Sequence, residues 1–204
     1  MGVKKSLINS INKLYLQYIK DCYQNEEFST TNMEVLLCTV DILDRKVDFY
    51  LEFKFNPNSI YAYSSGALYY HKKVNGKYRI VINCTISKSF NETFYTDLNL
   101  NIKSLLHHEI EHHLQKAKMP FREKLPELEY PTIMDYVNSS SEIEAYTKQL
   151  YLVHKKTKIN FTKLLVEEAN KIIKKEEVQD AFISNVISFI VKRNDLNLFN
   201  NIKF

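Results

Sequence analysis

LLHHEIEHHLQ, residues 105–115, contains four of the six histidines in this chain of 204 residues. On an α-helix, His108 and His112 lie one turn apart and project from the same face. Two neutral imidazoles in that arrangement can bind a single metal ion. The clustering therefore predicts a helix that carries a metal site.

The apolar residues of the same segment predict which side of that helix is buried. They recur at every fourth position, at Ile102, Leu106, Ile110 and Leu114. This spacing indicates an amphipathic helix with its apolar face against a core and its histidine face toward a cleft. His107 and His113 point about 100° away from the metal face, so we expect them in a second layer or on the surface.

Two overlapping motifs leave the choice of a general base open. Residues 108–112 have the form H-E-x-x-H, whereas His108, Glu111 and His112 also satisfy the inverted form H-x-x-E-H. Glu109 and Glu111 lie on opposite sides of the line midway between the histidines, so helix geometry does not choose between them. The downstream sequence favours Glu109 as the base and Glu111 as a charge on the helix surface. The alternative to a metal site is a charged helix face exposed to solvent. Such a face has no need of histidine, which this chain otherwise uses sparingly.

The composition predicts one globular domain without a nucleic-acid-binding groove. Hydrophobic residues make up 45% of the chain and aromatic residues 13%, which supports a sizeable core. No segment has the composition of a linker, so residues 1–204 are predicted to form a single domain. The net charge of +4 is spread along the chain, whereas a nucleic-acid groove typically shows a basic stripe with interleaved aromatic residues.

Cysteine usage and the N-terminal sequence predict a cytoplasmic protein. Cys22, Cys38 and Cys84 are far apart and odd in number, which fits neither a disulfide framework nor a C-x-x-C metal site. We expect them to be reduced. Residues 1–10 lack the apolar region of a signal peptide, and no apolar run is long enough to span a membrane.

Hydrophobic periodicity predicts an α+β fold in which a small, twisted, largely antiparallel sheet packs on helices. The predicted strands show alternating or continuous apolar residues: Leu36–Val40, Val47–Phe55, Ala67–His71 and Tyr78–Asn83. Asn75-Gly76 favours a type I′ turn, so the last two strands are predicted to form a hairpin. Five helices are predicted. The first covers about 6–23, the second covers about 98–118 and is ended by Pro120, and the third begins at a cap formed by Ser139–Ser141. The last two cover about 161–175 and 178–192.

A longer constellation resembles the minimal core of gluzincin metallopeptidases. Its parts follow in order as Ser65–Tyr69, Ile80–Asn83, the H-E-x-x-H segment and Glu142–Ala145. Over roughly residues 60–155, the chain is similar to the small bacterial and phage metallopeptidase-like domains that include the ImmA/IrrE group. The resemblance implies a zincin-like fold and a zinc-dependent endopeptidase acting on a protein or peptide substrate.

The resemblance also implies roles for individual residues. His108 and His112 match the histidine ligands of Zn²⁺, and Glu109 matches the general base. Glu142 matches the third ligand as the first Glu of Glu-x-Glu-Ala, with Glu144 as the second choice. A carboxylate in the first turn of a helix also has a simpler explanation, because it interacts favourably with the helix dipole.

The chain departs from the related pattern at Tyr146. Related sequences often place Asp or Asn four residues after the Glu ligand, where it can orient a metal-binding histidine. The hydroxyl of Tyr146, or Asp135 or Asn138, is a candidate replacement. The candidate donors to the oxyanion of the reaction are Tyr136, Tyr146, Tyr130 and His154. Of these, Tyr146 is the predicted catalytic residue.

Three further hypotheses concern binding. The strand Ala67–Tyr70 can pair with an extended substrate through main-chain hydrogen bonds. A competing function is a catalytically inactive binding or structural protein that retains the metalloprotease fold, for instance a phage or regulatory component. A weaker one is a protease recruited to nucleic acid through His71–Lys73 and Lys77–Arg79.

Overall fold

The computed structural model describes residues 5–24, 33–118 and 132–192, except for the side chains of His71 and Lys72. These residues form six α-helices and one four-stranded sheet, which confirms the predicted α+β class. The chain divides into two compact units, Met1–Ala117 and Lys118–Phe204. The single zincin-like domain that we expected from the sequence stays a prediction.

The first unit is built on a mixed sheet. Its strands are β1 (Met33–Ile42), β2 (Arg45–Phe55), β3 (Tyr63–Val74) and β4 (Lys77–Ile86), in the order β1-β2-β4-β3. The β1–β2 and β3–β4 pairs are antiparallel, as a largely antiparallel sheet requires, but β2 and β4 are parallel. All four predicted strands are present, and each extends beyond the residues that were predicted for it.

Two short turns connect the antiparallel pairs. In the β3–β4 turn, Asn75 and Gly76 have φ angles of 51° and 77°, the positive values that a type I′ hairpin requires. The predicted hairpin is therefore confirmed. Leu43 and Asp44 also have positive φ angles, 51° and 59°, in the β1–β2 turn. That turn contains no glycine, so it was not predicted from the sequence.

Two helices of the first unit share a core with the sheet. They are α1 (Lys5–Gln24) and α2 (Tyr95–Lys118). The predicted stripe of α2 is buried, at Ile102, Leu106, Ile110 and Leu114. Helix α2 begins one turn earlier than the apolar pattern indicates, because a 3-10 turn capped by the Asn91 side chain leads directly into it.

The second unit contains four helices among its described residues: α3 (Ile133–Asn138), α4 (Ser140–Thr157), α5 (Phe161–Ile172) and α6 (Glu176–Lys192). Helix α3 was not predicted, whereas the other three match predicted segments. Ser139 is the N-cap of α4, as expected, although its hydroxyl bonds to that of Ser141 rather than capping the backbone. Pro120, whose role in ending α2 was predicted, lies outside the described residues.

The three cysteines are free thiols, in agreement with the prediction of reduced side chains. Burial raises the pKa of the Cys84 thiol to about 12, so it is a poor nucleophile. Within the described segments, every helix is either too short or too polar to pass through a lipid bilayer.

The two described glycines predict opposite responses to alanine substitution. Gly76→Ala places a side chain at a positive φ angle and should lower the free energy of unfolding by about 1–2 kcal/mol. Gly66 lies in β3 with no atom within 4 Å of an added Cβ. Gly66→Ala, the matched control, should leave stability unchanged or raise it by up to about 1 kcal/mol. Urea unfolding measures both, and equal losses would contradict the left-handed turn.

Candidate metal centre

Helix α2 brings two imidazoles together. His108 and His112 are both buried, and their Nε2 atoms lie 3.0 Å apart. Two nitrogens bound to one tetrahedral zinc ion at 2.0–2.1 Å are separated by about 3.3 Å. The observed separation is close to this value, so the pair is arranged to bind a single metal ion through Nε2.

Gln115 fixes the orientation of one of these rings. Its side-chain Oε1 lies 3.3 Å from Nδ1 of His112, which can donate a hydrogen bond to it. With the proton on Nδ1, Nε2 carries the lone pair that a metal ion needs. Gln115 follows His112 by three residues on the same helix, a spacing at which side chains meet. Gln115 was not predicted from the sequence, although its position three residues after His112 could have indicated it.

Glu142 completes a group of three donors. One donor atom each of His108, His112 and Glu142 lies within 4.8 Å of the other two, and all three residues are buried. This is the only such group found among the described residues. The three members are the three ligands predicted from the sequence, and together they can hold a metal ion.

Glu144, the second choice for the third ligand, has a different role. It follows Glu142 by two residues, which places it about 200° around α4. Its Oε1 lies 2.9 Å from Nζ of Lys148, one turn later on the helix. Glu144 therefore forms an i, i+4 ion pair, and the structure favours Glu142 as the ligand.

Tyr136 and Tyr146, two of the candidate oxyanion donors, contact each other. The hydroxyl of Tyr136, on α3, forms a hydrogen bond with the hydroxyl of Tyr146, on α4. The two tyrosine oxygens are 3.1 Å apart. Burial raises the pKa of Tyr136 far above its usual value, and Tyr146 and Glu142 raise it further. The hydroxyl of Tyr136 is therefore protonated and available as a donor.

Both candidate general bases are buried on α2. Glu109 is 6% exposed and Glu111 is 8% exposed. The expectation that Glu111 is a charge on the helix surface is therefore wrong, because packing covers that side of the helix as well. The choice of Glu109 over Glu111 as the base stays a prediction.

The other two histidines of the stretch lie outside the metal-binding pair. His113 is fully buried, and its Nδ1 lies 3.0 Å from the Tyr69 hydroxyl. Burial lowers the pKa of His113 to about 4, so the ring is neutral. Burial also lowers the pKa of His107 to about 4, with Lys103 and Lys5 contributing. His113 was expected either in a second layer behind the ligands or on the surface. Its burial agrees with the first position and excludes the second.

The remaining candidates for support of the site have other partners. Asp135 accepts a hydrogen bond from the Thr132 hydroxyl at the start of α3. Asn138 accepts one from Asn185. His154 follows Glu142 by twelve residues on α4, about 18 Å along the helix axis, so it is not a donor at this site. Tyr130 lies outside the described residues.

Among the cations proposed for nucleic-acid recruitment, those with described side chains have partners on the sheet. Lys77 lies 3.2 Å from Asp48, and Arg79 forms an ion pair with Glu34. Lys73 lies over the ring of Tyr78. These contacts explain the basic residues of the hairpin as parts of the sheet surface.

Searches of the chain against known protein families, curated proteins and solved structures found no match. The resemblance to gluzincins therefore stays a prediction from sequence motifs.

The contact between Gln115 and His112 generates a prediction about metal affinity. Gln115→Ala removes the acceptor for Nδ1 and should weaken Zn²⁺ binding by about 10- to 100-fold. Gln115→Glu keeps an acceptor and should retain most of the affinity. Competition with a chromophoric chelator measures both variants against the unsubstituted protein. Unchanged affinity in Gln115→Ala would show that His112 is oriented by other groups.

Proposed function

We propose that this protein is a zinc-dependent metallopeptidase of the zincin type, related to the gluzincins, that hydrolyses internal peptide bonds. The single observation that carries the proposal is the convergence of the buried donors of His108, His112 and Glu142. Two imidazoles and a carboxylate are a ligand set of catalytic zinc, and three protein ligands leave a fourth position for water. Structural zinc sites instead close with four protein ligands.

The proposed reaction uses groups that the chain supplies on α2. When bound, zinc acts as a Lewis acid and makes its water more acidic. Glu109 accepts the proton of the attacking water and then transfers it to the amine that leaves when the C–N bond breaks. Glu109 is adjacent to His108 and is buried, which favours proton transfer in a site with little bulk water.

The edge of the sheet supports a peptide or protein as substrate. Among the described strands, β3 lies at an edge and pairs only with β4, so its outer backbone groups can accept an extended chain. The hydrogen bond between Tyr69 of β3 and His113 of α2 fixes this strand to the residue next to His112. A substrate added to β3 would bind through its main chain, with little dependence on its sequence.

The first test of this proposal is the metal content. Protein purified without a histidine tag should contain about one zinc ion per chain, because three pre-arranged ligands define one site. Removal of the metal by a chelator should abolish turnover of unfolded casein, and one equivalent of Zn²⁺ should restore it. Failure to bind added zinc would refute the proposal. Zinc binding without turnover of any unfolded protein would favour the inactive binding protein.

The second test distinguishes the two carboxylates beside the histidines. Glu109→Gln should keep zinc, since the base is not a ligand, and should lower kcat by about a hundred- to ten-thousandfold. Glu111→Gln is the matched control, because it removes an equally buried charge from the same helix. It should retain turnover within a fewfold.

The reverse result would assign the base to Glu111 and the inverted motif. Loss of zinc from both variants would show that these carboxylates act as ligands, and the mechanism would have to be abandoned. Zinc content is therefore measured together with kcat for each variant.

A further inference from the structure

Three positively charged side chains gather around one buried tyrosine at the end of the sheet where β4 begins. Tyr78, the second residue of β4, is 1% exposed. The centroid of its ring lies 5.6 Å from the guanidinium carbon of Arg45, 5.3 Å from Nζ of Lys73 and 5.5 Å from Nζ of Lys116. These three residues, the cation cluster, come from β2, β3 and α2 and form one small patch.

The tyrosine ring holds the cations without neutralising them. Nη1 of Arg45 donates a hydrogen bond of 3.0 Å to the Tyr78 hydroxyl. The ring itself is fixed by Tyr69, stacked at 6.1 Å between centroids, and by His113, edge-to-face at 5.0 Å. An aromatic ring attracts a cation through its quadrupole but carries no net charge. The patch therefore stays positive, and an anion from outside is attracted to it.

The cation cluster is accessible from solvent. Lys73 is exposed, whereas Arg45 and Lys116 are half-buried. A planar guanidinium with two ammonium groups beside it suits the two oxygens of a carboxylate, which accept charge-assisted hydrogen bonds. Charge and donor geometry together indicate a site for a carboxylate.

The cluster lies next to the proposed metal-binding residues and the edge strand. Lys116 follows His112 by four residues on α2, so it is about 6 Å further along the same side of the helix. Lys73 follows Tyr69 by four residues on β3, roughly 13 Å along the strand. Tyr69 and Lys73 both contact Tyr78, which places them on the same face of β3. A chain paired with β3 would therefore pass α2 and then reach the cluster.

We propose that the cation cluster binds the side-chain carboxylate of Asp or Glu in the substrate, a few residues from the bond that is cut. This inference rests on the proposed function, because it takes β3 as the strand that receives the substrate. Main-chain pairing with β3 depends little on sequence, and the cluster adds a preference for an acidic residue at one end. The substrate class is then an extended, acidic polypeptide segment.

The first test is peptide binding to the metal-free full chain, measured by fluorescence anisotropy and independent of turnover. An amidated peptide with a Glu pair should bind more tightly than the same peptide with a Gln pair. Added salt should reduce the difference, since it screens exposed charges. Lys73→Gln and Lys116→Gln should each weaken binding of the Glu peptide by about 1.5- to 5-fold and leave the Gln peptide unchanged. Lys13→Gln, which removes an exposed positive charge from α1, is the matched control and should change neither.

The second test is a charge reversal read by turnover of the zinc-loaded protein. The unsubstituted protein should cleave the Glu peptide with a lower KM than the Gln or Lys peptide and a similar kcat, because the contact is made equally in the ground and transition states. Lys73→Glu should reverse the order and favour the Lys peptide. A thermal melt of each variant verifies that the fold is intact.

Other outcomes overturn defined parts of the inference. Equal binding of the Glu and Gln peptides refutes the carboxylate site, as does an equal loss in Lys13→Gln and Lys73→Gln. Tighter binding of the Gln peptide with a free C-terminus assigns the cluster to the chain end, and tighter binding of single-stranded DNA assigns it to nucleic acid. Either result refutes the acidic substrate. Binding specific for Glu without cleavage of any peptide keeps the acidic-peptide site and refutes the peptidase.

Discussion

The rest of the structure depends on the burial of α2 on both its apolar and its polar side. His108, Glu109, Glu111 and His112 are each between 6% and 8% exposed. Burying imidazole and carboxylate groups costs free energy unless they form hydrogen bonds, pair with opposite charge or bind a metal ion. Under the proposed function, a divalent cation offsets that cost, so the same ion that supports catalysis also stabilises the polar side of the helix.

The sheet determines which side of α2 carries the metal-binding pair. The ring of His113 packs edge-to-face on Tyr78 with centroids 5.0 Å apart, and its nitrogens approach the Tyr69 hydroxyl and the backbone oxygen of Ile42. These contacts join three strands to one side chain and fix the rotation of the helix. His112 is the preceding residue, so its direction follows from that rotation. The pKa of about 4 keeps His113 neutral, which removes a positive charge from the immediate neighbourhood of a cation site.

Features encoded by neighbouring residues could be predicted from the sequence, and features that depend on distant pairing could not. The apolar stripe of α2, the Asn75-Gly76 hairpin and the His108–His112 pair follow from local spacing. Glu142 is distant in the chain and was expected only from the resemblance to gluzincins. The parallel pairing of β2 with β4 is not, because it depends on β3 returning as a hairpin that places β4 beside β2. The turn at Leu43-Asp44 has no glycine to mark it. The burial of Glu111 was also missed, because a helical pattern shows one buried face and cannot show that a second is covered.

One of the proposed ligands is supported from within its own helix. Gln115, three residues after His112 on α2, lies 3.3 Å from Nδ1 of that histidine and can orient its ring. Because this contact lies within one helix, it forms together with that helix and sets the direction of the His112 ring before a metal binds. Pre-arrangement lowers the ordering cost of binding, so an amide on the same helix can orient a metal-binding histidine in the way that a carboxylate often does.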